Sequence, residues 1–219
     1  MRFKVRGIYD LEFFLYLKRI GVKNFAFDLR PTSFNFTPMY KIIEMLKAGG
    51  DDSDTYSFIF DGEKDFVIEQ LISSAQKEGL LSSKNCFLEL GDLRELNACS
   101  RFGLPIIWRF NESMDYRKIP NETLLHGVSF TYKYFEQLQE SNQLYIFLKE
   151  ILDLKRDDQF IDLRLDWSDH LSESVLDFLP ANTYGFEINQ QVEKSYRHID
   201  MNLVSSHLEH AKRILNLES

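Results

Sequence analysis

The sequence predicts an α/β protein whose strands close into a (β/α)8 barrel, and three observations carry that expectation. Short runs rich in β-branched and aromatic residues alternate with longer runs whose apolar residues recur at helical spacing, the pattern of parallel strands joined by crossover helices. Eight such units fit along the 219 residues, the size of a compact TIM-type barrel with helices outside and strand carboxyl ends at one mouth. No linker or low-complexity stretch interrupts them, so the expectation is a single domain over 1–219. An open doubly wound sheet is the alternative arrangement.

The units are read in order. Residues 3–7 form the first strand; Asp10 then caps a run in which Leu11, Phe14, Leu15, Leu17 and Ile20 share a face before Gly21 stops it. Residues 23–29 are the second strand, and Thr37-Pro38 offers an N-cap and a first-turn proline for a helix ending near Ala48-Gly49-Gly50. Strands three to five fall at 55–60, 86–90 and 104–109, with helical patterns at 64–78 and 92–102. The sixth strand is placed at 124–130, with 143–148 as the competing position. Strands seven and eight are 159–166 and 183–189, followed by helical patterns at 171–179 and 201–216.

Composition bounds the function. With 44% hydrophobic and 14% aromatic residues the chain can bury one sizeable core. Thirty-four acidic against 26 basic residues leave a net charge of -8, so nucleic acid is not an expected partner. No apolar run approaches the roughly 20 residues of a membrane span, and Met1–Arg6 lacks a signal-peptide apolar stretch, so a cytoplasmic protein is expected. In that compartment Cys86 and Cys99 read as small core residues rather than a disulfide.

Several segments have a family likeness. Lys4-Val5-Arg6-Gly7-Ile8 with Leu11-Glu12, then Gly21 and Phe25-Ala26-Phe27, then Ser33 and Phe36-Thr37-Pro38 follow one another at a recognisable spacing, with weaker echoes at Leu88-Glu89-Leu90-Gly91-Asp92 and from Glu187-Ile188-Asn189 to Asp200. In these segments the chain resembles phosphoribosylanthranilate isomerase, a small barrel of tryptophan biosynthesis. The resemblance implies a reaction that opens a ribose ring and moves a proton between adjacent carbons, needing a base and an acid on opposite sides of the sugar. In the family the base is a cysteine after the first strand and the acid an aspartate after the sixth.

The sequence departs from the family at each of these places. The cysteine's place is Arg6, a guanidinium that stays protonated and cannot take a proton from carbon. Val128, Ser129 and Phe130 end the preferred sixth strand without an aspartate, and Glu150 could substitute only if that strand lay at 143–148. The family's glycine-containing phosphate loops correspond to Asp166-Trp167-Ser168-Asp169-His170 and Asn189-Gln190-Gln191-Val192-Glu193, which contain no glycine. The expectation is an isomerase-like barrel without isomerase activity, a pseudoenzyme acting as a polar-ligand or protein-binding module. The alternative is an active aldose–ketose isomerase using substituted acid and base groups.

Strand parity shows what fills the mouth. Lys4 and Arg6 share a face of strand one, Asp28 and Arg30 of strand two, and Asp162, Arg164 and Asp166 of strand seven, with Asp61, Glu89, Arg109, Glu187 and Asn189 near other strand ends. Buried charges of mixed sign must be paired, hydrated or bound to something polar. Candidate ligand-binding residues are Arg6, Asp28, Arg30, Arg109, Asp166, Glu187 and Asn189. An internal ion-pair network, a polar-ligand pocket and a new catalytic site all fit this pattern.

Other constellations carry less. Ser168-Asp169-His170 holds the letters of a hydrolytic triad, but neighbours on one turn cannot relay a proton; Ser168 or Asp169 reads as a helix cap. His207 and His210 are three apart on the last helix without a third ligand, and Asp200 reads as that helix's N-cap. No cofactor or metal is expected, for no glycine-rich phosphate loop, dinucleotide fingerprint or zinc spacing occurs. Adjacent aromatics cannot all face inward, so Phe13 or Tyr16 and some of Tyr132, Tyr134 and Phe135 are candidates for a surface protein-partner or homodimer patch; the favoured alternative is a core that uses phenylalanine where others use leucine.

Overall fold

A computed structural model of the protein describes residues 2–62, 65–82, 84–92, 95–118, 124–167 and 181–214. Eight parallel strands close into a barrel in chain order: β1 (Arg2–Arg6), β2 (Asn24–Asp28), β3 (Thr55–Phe60), β4 (Cys86–Leu90), β5 (Ile106–Arg109), β6 (Leu125–Thr131), β7 (Phe160–Leu165) and β8 (Thr183–Glu187). Strand β8 pairs with β1 in the register that sets Glu187 opposite Arg6. Between them run α1 (Leu11–Arg19), α2 (Met39–Gly49), α3 (Asp65–Lys77), α4 (Glu95–Ser100), α5 (Tyr132–Glu140) and α6 (Leu144–Leu154), and α7 (Met201–Ile214) follows β8.

Alternation along the strands sorts the residues as the barrel requires. Phe25 and Phe27 of β2 point outward onto Phe14 of α1, with ring centroids 4.9 and 6.1 Å away, while Asn24, Ala26 and Asp28 have the opposite parity. The main apolar core is therefore the layer between barrel and helices, while the interior holds charged and small side chains above a few apolar ones, Phe87, Ile107 and Phe160.

Local chemistry accounts for most element ends. Asp10 caps α1 by accepting from the Phe13 amide at 2.8 Å, and Gly21 adopts φ 86° beyond its end. Asp200 caps α7, accepting from Asn202 N at 3.1 Å and Leu203 N at 3.2 Å. Thr37 does not cap α2 as expected: Pro38 holds the cap position, and the Thr37 hydroxyl donates to the Ile8 carbonyl at 2.9 Å. That bond ties the loop after β2 to the turn after β1.

The sixth strand occupies the earlier of its two candidate positions. Residues 143–148 instead enter α6, where Leu144, Phe147, Leu148 and Ile151 recur at i, i+3, i+4 and i+7 and are buried. Glu150 lies on that helix, accepting from Tyr116 Oη and pairing with Arg117 Nε at 3.4 Å, so it does not stand in for the family's aspartate. A short hairpin, β9 (Glu193–Ser195) and β10 (His198–Ile199), intervenes before α7 and has no counterpart in the sequence reading. The expected helix at 171–179 and the Ser168-Asp169-His170 segment lie outside the described residues.

Of the two readings of the clustered aromatics, the structure has the core and not the surface patch. Phe13, Tyr132 and Phe135 are buried, and Tyr16 and Tyr134 pack partly buried against the core. Phe130 draws Phe110, Phe135 and Phe147 around it at 5.1–5.7 Å, because β5, β6, α5 and α6 converge there. Among the described residues the most exposed large apolar side chains are elsewhere, at Tyr40, Phe66, Tyr145, Ile146 and Tyr196. Cys86 and Cys99 are buried free thiols, and burial pushes Cys86 up to about 12. Among the described residues no helix is long and apolar enough to cross a membrane.

Candidate functional site

At the centre of the barrel β1, β4 and β7 each contribute charge. Arg6, Glu89 and Asp162 are all 0% exposed and Lys4 3%. The Arg6 guanidinium donates through Nη1 to Asp162 Oδ2 at 2.8 Å and to Glu89 Oε1 at 3.3 Å, and through Nη2 to Glu89 Oε2. Lys4 Nζ donates to Glu89 Oε1 at 2.9 Å and lies 3.6 Å from Asp162 Oδ2. Two cations thus face two anions, and Ser129 Oγ adds a bond to Asp162 Oδ2 at 2.8 Å. Burial alone would drive each charge off, yet Glu89 is held well below the usual carboxylate range because Arg6 and Lys4 outweigh it. Burial likewise disfavours the Arg6 cation, and Glu89 and Asp162 more than offset it, so its pKa lies above the ordinary arginine value.

Glycine makes room for this arrangement. A Cβ on Gly185 of β8 would stand 2.9 Å from Arg6 Cδ, so a longer residue there would push the arginine out of the barrel centre. Gly7, immediately after β1, takes φ 73°, and a Cβ would meet the Asn35 amide at 2.4 Å. Asn35 in turn donates to the Ile188 carbonyl at 2.6 Å, joining the loops after β2 and β8 beneath the mouth.

Above this network the strand ends open into cavities. Asp28 receives Arg30 in a bidentate pair, Nε to Oδ1 at 2.9 Å and Nη2 to Oδ2 at 2.6 Å, plus Ser33 Oγ at 2.6 Å. Burial raises the Asp28 carboxyl, but these bonds prevail and hold it below its ordinary value. Arg30 Nη2 also lies 4.0 Å from Glu187 Oε1. Arg164 donates to the Phe110 carbonyl at 2.7 Å. A cavity of about 730 Å³ is lined by Asn35, Thr131, Arg164, Asp166, Glu187 and Asn189 among others. One of about 300 Å³ adjoins it at Thr131 and Arg164 and includes Arg109 and Asp61. A third, of about 460 Å³, lies beside Arg30 and Asp61.

The seven residues named from sequence therefore divide. Arg6 lies below the cavities, engaged by carboxylates. Asp28 is buried beside Arg30 at the mouth. Asp166, Glu187 and Asn189 line the large cavity, where Asn189 Nδ2 donates to Asp166 Oδ1, and Arg109 lines the smaller one. Lys4, Glu89, Asp162 and Arg164 complete the charged interior; strand parity marks Lys4, Asp162 and Arg164, and Glu89 is marked by its place near a strand end, but no spacing rule tells which carboxylate meets which cation. At the end of β6 the inward positions are Ser129 and Thr131, and neither carries a carboxyl group. Among the described residues no cluster of histidine, cysteine or carboxylates fits a metal ion.

Comparison with solved structures places this geometry. Over 96% of its length the chain matches phosphoribosyl anthranilate isomerase from Thermus thermophilus, covering 100% of that chain at 17% identity and a TM-score of 0.65. The chain has the barrel fold of these isomerases. Monomers of the isomerase from Thermotoga maritima give a TM-score of 0.66 at 15% identity, over 97% of this chain and 99% of that one. TrpF from Jonesia denitrificans gives 0.62 at 14% identity, over 99% and 98%. No protein-family model and no curated protein matches the sequence. At such identities the fold is what is shared, and Arg6 stands at the end of its β1 as a buried, doubly paired cation.

Proposed function

We propose that this barrel does not catalyse phosphoribosylanthranilate isomerisation and instead binds a polar small molecule at the mouth formed by its strand ends. One observation carries the reading: at the place where the sequence resemblance puts the family's base, Arg6 is buried and bonded to both Glu89 and Asp162. A base must be unprotonated and must reach the substrate. Arg6 meets neither requirement, because its carboxylate partners favour the cation and its side chain is buried and lines none of the three mouth cavities. Ser129 and Thr131, at the inward positions ending β6, cannot supply the acid at neutral pH. The adjoining 730 and 300 Å³ cavities, with arginine, carboxylate and amide walls, favour a small molecule over a protein partner.

Expression of the chain in a tryptophan auxotroph lacking the isomerase tests this reading. No growth without tryptophan is expected while soluble protein accumulates; growth rescue would overturn it. A partner role for the protein surface predicts association that is insensitive to substitutions at the mouth.

A further inference from the structure

Resting on that reading, we infer that the mouth selects a carboxylate-bearing ligand whose carboxylate lies between Arg109 of β5 and Arg164 of β7. The two arginines flank β6: Arg109 is opposite Ser129 and Arg164 opposite Thr131, and both line the 300 Å³ cavity. Among the described residues the other inward-facing cations each meet a carboxylate. Lys4 and Arg6 answer Glu89 and Asp162, and Arg30 answers Asp28. Among the described residues Arg109 and Arg164 stand apart from this pairing because neither forms an ion pair; the buried Nε atom of each, like that of Arg6, has no hydrogen-bond partner, and Arg164 reaches one backbone carbonyl.

A partly buried guanidinium without an anion is costly, and a second cation close to it adds to the cost. Burial first, then Arg109 and Arg6, lower Arg164 to about 10, and burial with Arg30 and Arg6 lowers Arg109. Apart from the Arg164 Nη2 bond to the Phe110 carbonyl, the terminal N–H groups of both forks have no partner among the described residues and can receive an oxyanion. A carboxylate suits the place better than a phosphate dianion, because Asp61 shares the cavity wall and Glu187 and Asp166 line the space beyond Thr131 and Arg164. Those acidic walls offer acceptors for hydroxyl or ammonium groups on the rest of the ligand.

The test follows the unfolding temperature of the full chain with millimolar acetate, succinate, glycine or L-glutamate, against inorganic phosphate and ribose 5-phosphate at matched ionic strength. At least one carboxylate is expected to raise it by several degrees, with the shift lost in Arg109→Gln and Arg164→Gln. Ligand-free Arg109→Gln is expected to unfold no lower than the parent, since it removes a cation with no partner; that arm separates a binding role from a structural one. No shift from any of the four carboxylates would overturn the inference. So would a shift kept by both variants, or a marked fall in the unfolding temperature of ligand-free Arg109→Gln. Stabilisation by ribose 5-phosphate alone, indifferent to both arginines, would sink the inference but leave a polar-ligand barrel. Auxotroph rescue would instead sink the reading on which it rests.

Discussion

Replacing Glu89 by Gln removes one of the two anions at the barrel centre while preserving shape. Glu89 receives Lys4 at 2.9 Å and both terminal nitrogens of Arg6, so the variant leaves two buried cations facing Asp162 alone. Breaking a buried pair by removing one partner costs about 3–5 kcal/mol. For a chain of this length each kcal/mol moves the melting temperature by about 2–4 °C, so a fall of roughly 6–20 °C is expected. Urea unfolding followed by circular dichroism reads the loss as a lower midpoint at unchanged slope. A cycle with Arg6→Met and Glu89→Met then tests the pairing itself. Each single variant strands charges, whereas the double variant leaves Lys4 and Asp162, 3.6 Å apart, as a neutral pair. The double variant should therefore be less destabilised than the sum of the singles by about 1 kcal/mol or more. Additive losses, or single losses below about 1 kcal/mol, would refute the network as the organiser of the interior.

Acid should dismantle the same network. Glu89 is held below its unfolded value, so its contribution is fully present above about pH 4.3 and drains as the pH falls toward the folded value. The parent should lose stability between about pH 5 and pH 2 more steeply than Glu89→Gln, and equal slopes in urea titrations would contradict this. Gly185→Ala, whose Cβ would meet Arg6 Cδ at 2.9 Å, should cost about 1–3 kcal/mol by displacing the arginine, and an unchanged melting temperature would show the site to be roomier than this packing implies. Cys86, with its buried thiol pushed up to about 12, should resist a thiol reagent in the native protein and react promptly in urea; equal labelling rates would contradict its burial.

Much of the barrel is legible in the sequence because strands and helices here differ in period. Phe25 and Phe27 alternate with Asn24, Ala26 and Asp28, and that alternation alone separates the helix-facing side of β2 from the interior. The ambiguity at 143–148 arises because a short apolar run fits either element, and it resolves only when Ile151 extends the helical face. Thr37 was a sound cap by local rules; the tertiary contact with Ile8 claims its hydroxyl instead. The hairpin after β8 left no periodic trace in five strand residues, and its turn uses Arg197 at φ 57° rather than glycine.

The site was legible as a set of charges, not as pairs. Parity shows that Arg6, Glu89 and Asp162 face inward, but Arg6 and Glu89 are 83 positions apart and Arg6 and Asp162 are 156 apart. Only barrel closure brings them together. The isolation of Arg109 and Arg164 is equally a property of the assembled mouth, since it depends on which carboxylates the other cations have already engaged.

Turnover of phosphoribosylanthranilate by the purified full chain, with product formation followed against a buffer control, bears on the central claim most directly. With Arg6 in the base's place and no carboxyl group at the inward end of β6, the rate should not exceed that of buffer. A rate above it that is lost on substituting any inward residue of the mouth would show that proton transfer occurs there after all.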